Sequence, residues 1–139
     1  MQAANKQKCV ECNRQASQTH HAIKKGKGHS VKAAYLDHNI NKFPMCTSCH
    51  TELHKSPFQG LDLKYRVLVY KTLKSLFTAE YYSLEQIQTM LEYTPEQSRG
   101  LTKSLNAADG NYSREEIIRK LMGGGIHPNI LEEAGGLDE

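Results

Sequence analysis

Cys9 and Cys12 form one C-x-x-C pair and Cys46 and Cys49 form a second, with 33 residues between the two pairs. Each pair offers two thiolates at the spacing of a zinc knuckle. Together they close a tetrahedral four-thiolate site with no coordination position left for a substrate. A zinc ion held this way is structural, which leaves the nearby His20, His21, His50 and His54 free for other chemistry. Disulfides are the competing use of four cysteines. Residues 1–8 are polar and lysine-bearing and read as no export segment, and no apolar run approaches membrane-spanning length. A cytoplasmic location is therefore expected, and in a reducing compartment C-x-x-C thiols are metal ligands. A redox role would leave one of the two pairs idle.

The elements that must position these residues follow from the local pattern. Residues 18–23 carry His20 and His21 in a stretch that reads as a strand. Lys24, Lys25 and Lys27 then ride on a glycine-bearing turn, and Lys32 follows shortly after. Residues 31–45 read as irregular chain or the return of a hairpin. Thr47 or Ser48 can cap a short helix that runs to about Lys55, where Ser56 and Pro57 stop it. On that helix His50 and His54 stand four apart and share a face, which is a metal-ligand spacing.

The order of a C-x-x-C pair, His20 and His21, Asn41, and a second C-x-x-C pair followed by His50 and His54 resembles the HNH endonucleases. These belong to the ββα-metal or His-Me finger group, in the version clamped by a zinc on four cysteines. The resemblance covers about residues 9–55, and nothing comparable covers the rest. It implies that His21 is the general base and that His20, in a place often held by aspartate, is a ligand of a catalytic cation. It further implies that His50 is a second ligand, and that His54 is a third or a phosphate contact. Asn41 would hydrogen-bond backbone near His21 and orient its imidazole. Asn39, two residues earlier, is the competing candidate for that role. An all-imidazole site shifts the expected catalytic ion from Mg²⁺ toward Mn²⁺ or Ni²⁺. The reaction so implied is hydrolysis of DNA phosphodiesters to 5′-phosphate and 3′-hydroxyl ends, and compact HNH proteins of this kind look like phage or mobile-element products.

Charge divides the chain. Residues 1–66 carry 11 Lys and Arg against 4 Asp and Glu, whereas residues 67–139 carry 7 against 11. The basic front half suits a phosphate backbone, with Lys24, Lys25, Lys27 and Lys32 as the expected DNA contacts. The acidic rear half is helical by period. Leu61, Tyr65, Leu68, Val69, Leu73, Leu76 and Phe77 mark one face of a helix over residues 61–77. Ser83, the pair Thr94 and Pro95, and Ser113 each open a further helix. A helix-turn-helix over residues 84–105, with Arg99 and Lys103 on its second helix, is opposed by the acidic balance.

The expected architecture is α+β. A zinc-stapled nuclease core spans residues 1–57, a helical extension spans 58–122, and a glycine-rich acidic tail spans 123–139 and is expected to be flexible. The expected function is a metal-dependent endonuclease acting on DNA. The alternatives are a non-catalytic zinc module that binds nucleic acid or protein, and an accessory nuclease switched on by a partner. The helical half is expected to meet a protein partner or a second copy of the chain. The location would be a host cytoplasm for a phage product, with no membrane involved.

Overall fold

The computed structural model describes residues 7–24 and 33–135. Lys25, Lys27 and Lys32 lie outside the described residues. Strand β1 (Gln18–His21) pairs antiparallel with β2 (Lys42–Met45), setting His20 opposite Phe43 and His21 opposite Lys42. Strand alternation buries His20 to 2% exposure and leaves His21 partly exposed. Ahead of β1 the chain turns tightly at the first cysteine pair. The amide of Cys9 donates to the carbonyl of Arg14, and Asn13 supplies a left-handed residue with φ 68°. The Val10 amide then donates to the carbonyl of Pro44 at 3.0 Å, which ties this knuckle to β2.

Two single 3-10 turns, Ala34–Leu36 and Asn39–Asn41, lead into β2, so the return is a folded loop followed by a strand. From β2 the chain enters α1 (Thr47–Leu53) directly. Its cap is Cys46, not Thr47 or Ser48: the cysteine holds extended backbone and its sulfur accepts from the amide of Cys49. A sulfur that accepts one amide can still face a metal, so capping and ligation converge on one residue. The helix ends at Leu53, short of Lys55, and His54 is its C-cap.

Helix α2 (Gly60–Leu76) buries Tyr65, Val67, Val69, Tyr70 and Leu73, while Leu68 is 45% exposed. Of the expected face, Tyr65, Val69, Leu73 and Phe77 are buried and Leu61 and Leu76 partly buried, and the buried surface widens beyond it to Val67 and Tyr70. The helix is covered on more than one side, by α1 and by the later helices α5 (Arg114–Leu121) and α6 (Pro128–Glu133). Between them lie β3 (Tyr81–Ser83), α3 (Leu84–Leu91), α4 (Pro95–Thr102), β4 (Ala107–Ala108) and β5 (Asn111–Ser113). The three short strands form an antiparallel sheet in the order β3-β5-β4. Reciprocal capping boxes start α3 with Ser83 and Gln86 and α4 with Thr94 and Gln97, and the Ser113 hydroxyl caps α5.

Residues 128–133, placed by sequence in a flexible tail, form α6 instead. Pro128 occupies its first turn, the His127 ring accepts from the amide of Asn129, and Ile130 is buried against α2 at 2% exposure. Buried Ile130, the partly buried Leu131 and Ala134, and the cap at His127 hold this short helix.

A single apolar cluster runs through both halves. Ile23, Leu36, Met45 and Leu53 from the front pack with Val69, Leu73, Leu101, Ile117, Leu121 and Ile130 from the rear. Polar bonds reinforce the seam. Tyr65 and Lys64 donate to Glu11 at 2.7 and 2.8 Å, and the Tyr93 hydroxyl donates to the carbonyl of Tyr35. Gln97 donates to the carbonyls of Ala34 and Asp37 at 3.0 Å each. Thus the helical half braces the loop that leads back to the β hairpin.

His38 sits in that loop at 3% exposure, edge-on to Tyr93, with neither ring nitrogen bonded among the described residues. Burial, and then the nearby Lys42, push its pKa down to about 4. The folded chain therefore favours neutral His38, while the unfolded chain protonates it near the ordinary value. Its contribution is complete above that ordinary value and is lost as pH falls toward 4, at up to about 1.4 kcal/mol per pH unit. Melting temperatures of the zinc-loaded protein should fall more steeply between about pH 6.5 and about pH 4.5 than those of His38→Leu. Parallel slopes would contradict a buried, neutral His38.

Candidate metal centres

The hairpin and α1 gather two clusters. The sulfurs of Cys9, Cys12, Cys46 and Cys49 all lie within 4.8 Å of one another, and Cys12 Sγ is 3.6 Å from Cys46 Sγ. That separation is far too long for a disulfide. It matches the edge of a tetrahedron with zinc–sulfur bonds of about 2.3 Å, which is about 3.8 Å. Backbone amides support the sulfurs: Glu11 N donates to Cys9 Sγ at 3.4 Å and Cys49 N donates to Cys46 Sγ at 3.5 Å.

The thiols do not ionise alike. Burial disfavours the Cys9 thiolate, but amide hydrogen bonds from Cys46, Cys12 and Glu11 outweigh it and bring the thiol down to about 6. Burial and the neighbouring sulfurs of Cys46, Cys12 and Cys9 push Cys49 up to about 12. A dication at the centre removes this conflict by pairing with all four. The four cysteines can thus hold a structural metal such as zinc.

The second cluster is imidazole. His50 Nε2 lies 3.1 Å from His20 Nδ1 and 3.1 Å from His54 Nε2. An ion about 2.1 Å from each nitrogen has neighbouring ligands about 3.0 Å apart in octahedral geometry and about 3.4 Å apart in tetrahedral geometry. The three donors therefore fit one cation. Burial, with help from His50, lowers the pKa of His20 to about 3. Burial also lowers those of His50 and His54, with His54 and Lys24 respectively the next causes. Neutral imidazole is the form that ligates. His50 Nδ1 lies 2.6 Å from Gln18 Oε1, so Nδ1–H donates to the amide oxygen and the Nε2 lone pair faces the cluster. Sequence reading missed Gln18, although its place two residues before His20 on one strand puts both on the same face.

His21 does not join the imidazole cluster. Its Nε2 lies 3.0 Å from Asp37 Oδ1, leaving Nδ1 as the nitrogen that can take a proton. Asp37 also pairs with Lys42 at 3.3 Å, and its carboxyl is held below the usual carboxylate range, chiefly by the hydrogen bond to His21. No local motif announces Asp37, because the loop brings it back 16 residues after His21.

Asn41 is fully buried and both polar atoms of its side chain are used. Oδ1 accepts from the amide of Ile23 at 2.8 Å, and Nδ2 donates to the carbonyls of Ile23 and Leu36 at 2.9 Å each. Its own carbonyl accepts from Ala22 N. Asn41, and not the exposed Asn39, ties the chain leaving His21 to the loop that carries Asp37. Lys24, the one described member of the expected DNA-binding lysines, borders a cleft that also contains His20 and His54.

The class these observations define is a mixed α/β protein with a four-cysteine cluster and a three-histidine cluster on one hairpin and helix, both compatible with metal binding. Residues 1–75 match the family described as "Protein of unknown function (DUF968)", and the chain belongs to that family. No curated protein and no solved structure matches the chain. The family match spans both clusters, Asp37, Asn41 and most of α2. No helix among the described residues is long and apolar enough to cross a membrane.

Metal analysis of purified protein should find at least one tightly held zinc per chain. Cys46→Ser should lose it together with the cooperative melt of the hairpin, because zinc binding at such sites contributes on the order of 10 kcal/mol to folding. His50→Ala should keep it. A folded protein free of zinc, with four reduced thiols, would contradict a structural four-cysteine centre.

Proposed function

We propose that this protein is an HNH-type endonuclease that hydrolyses DNA phosphodiester bonds. The observation that carries the reading is the arrangement of the two clusters. The four cysteines staple the knuckle to the N-terminus of α1, and the same helix then offers His50 and His54 to His20 on β1. A staple with no open position beside a donor set with room for water and substrate is a division of labour that a purely structural module does not need.

Each chain residue then has a role. Asp37 holds His21 through Nε2, so Nδ1 is left to accept the proton of an attacking water. Asn41 fixes the backbone just beyond His21 and prevents the loop from drifting away from it. Gln18 fixes the ring of His50. His20, His50 and His54 would hold a divalent cation, Mn²⁺ or Ni²⁺ with Mg²⁺ also admissible, which would supply Lewis-acid stabilisation of charge building on the phosphate. Lys24 adds positive charge where the strand would lie, and Lys25, Lys27 and Lys32 are assigned the same role from sequence.

The expectation of a protein partner or self-association rested on apolar helix faces without a mate. Those faces are buried in the shared core, with Ile87, Leu101, Ile117 and Leu121 at 0% exposure. A partner is therefore not needed to complete the fold, although assembly through the acidic half remains part of the proposal.

Supercoiled plasmid and single-stranded DNA should both be tested with added Mg²⁺, Mn²⁺ and Ni²⁺. Cleavage should require the added ion. His21→Ala should lower the rate by about 10²–10⁴-fold while preserving fold and DNA binding. Asp37→Asn should lower it less, and His50→Ala should raise the metal concentration needed. A His21→Ala protein as active as the wild type would refute the assigned base, and a wild-type protein that binds DNA without cutting under any ion would favour the non-catalytic zinc module.

A further inference from the structure

A cleft of about 680 Å³ opens beside the imidazole cluster. His20 and His54 line it from the front half, and Ile126 and His127 line it from the loop between α5 and α6. That loop closes against the end of β1 where residue 123 is glycine. Gly123 holds φ +91°, which favours glycine, and its Cβ position lies in van der Waals contact with the Ile23 methyl at 3.4 Å and the Lys24 carbonyl at 3.5 Å. The rear half of the chain thus builds part of the candidate site.

Arg66 gives the cleft a preorganised cation. Asp62, 5% exposed, accepts from the amide of Phe58 at 2.6 Å and from Arg66 Nε at 2.7 Å. This holds Phe58 in a left-handed conformation, φ 60°, that phenylalanine rarely adopts. Its ring lies against both the guanidinium of Arg66, at 4.2 Å, and the ring of His127, stacked at 4.0 Å. Asn129 Nδ2 holds the Phe58 carbonyl at 3.0 Å. The Nη atoms of Arg66 make no hydrogen bond among the described residues and remain available to a ligand. With Lys24 in the lining and Asp62 already engaged, the cleft presents positive charge beside apolar and aromatic walls.

That chemistry suits a phosphate joined to a flat apolar group. A volume in the range of about 300–1,000 Å³ takes a ligand of nucleotide size. A base can enter such a cleft only if it is not stacked in a duplex. We propose that this cleft receives an unpaired nucleotide of a DNA strand, with Arg66 and Lys24 on its phosphate. Resting on the nuclease reading above, this makes the substrate single-stranded DNA or a duplex bearing a single-stranded tail, in preference to a continuous duplex.

Binding separates this inference from cleavage. Fluorescence anisotropy of the full zinc-loaded chain, without added cation, should show a mixed-sequence single strand binding about tenfold more tightly than its blunt duplex. Arg66→Gln and Lys24→Glu should each weaken single-strand binding by about tenfold, and Arg66→Gln should change duplex binding little. Arg66→Gln removes one donor from buried Asp62, so its melting is measured alongside, and Lys24→Glu carries the comparison if Arg66→Gln does not fold. Equal affinity for strand and duplex, or wild-type affinity in folded Lys24→Glu, would overturn the inference. Digestion with Mn²⁺ distinguishes the two readings. Strand binding that depends on Lys24 and Arg66 without cutting supports the cleft and removes the nuclease. Equal cutting of strand and duplex, unaffected by either variant, keeps the nuclease and removes the cleft.

Discussion

Cys46 is the joint on which the site depends. It follows β2 directly, caps α1 through its sulfur and contributes one corner of the four-cysteine cluster, so one residue fixes the angle between hairpin and helix. His50 follows four residues later and His20 is set by the β1–β2 register, which means their 3.1 Å approach is inherited from that joint. Four thiols that close resist joint ionisation, and a zinc ion held there would remove the resistance and link the first knuckle to the helix in the same act. A hydrophobic contact alone would hold this angle less firmly, since α1 buries only Leu53.

The second constraint is the loop between β1 and β2. It must bring Asp37 back to His21, and it does so by hydrogen bonds from two directions. Asn41 ties its inner side to Ile23 and Leu36, and Gln97 on α4 ties its outer side through the carbonyls of Ala34 and Asp37. The rear half is therefore continuous with the site in physical terms. It supplies the brace at α4, the buried faces of α2 and α5, and the loop that closes the cleft. Its acidic charge does not prevent this, because the residues it turns toward the cleft include Ile126, His127 and Ile130 and no carboxylate from beyond Arg66.

What the sequence made legible is what local chemistry dictates. The cysteine pairs, His50 and His54 on one helical face, the caps at Ser83, Thr94 and Ser113, and the strand carrying His20 are all readable from neighbours along the chain. What it concealed depends on tertiary contact. The added burial of Val67 and Tyr70 on α2 follows from its being covered on several sides, which a single-face period does not describe. The strands β3, β4 and β5 are two or three residues long, too short for alternation to declare itself. The helix at 128–133 is held by buried Ile130 and by contacts of His127 and Asn129 with Phe58, after a glycine run that reads as a flexible tail. Asp37 and Gln18 act through partners 16 and 32 residues away, Arg66 acts through a fold-dependent cleft, and no motif carries any of the three.

Two different metal centres in one small chain, one closed and structural, the other open and bound by imidazole, are what the nuclease reading requires. Anomalous X-ray diffraction at the zinc and manganese edges, from crystals of zinc-loaded protein soaked in Mn²⁺, tests this directly. Zinc is expected among Cys9, Cys12, Cys46 and Cys49, with a separate manganese ion on His20 Nδ1, His50 Nε2 and His54 Nε2. Zinc at the cysteines with no manganese at the three histidines would contradict it.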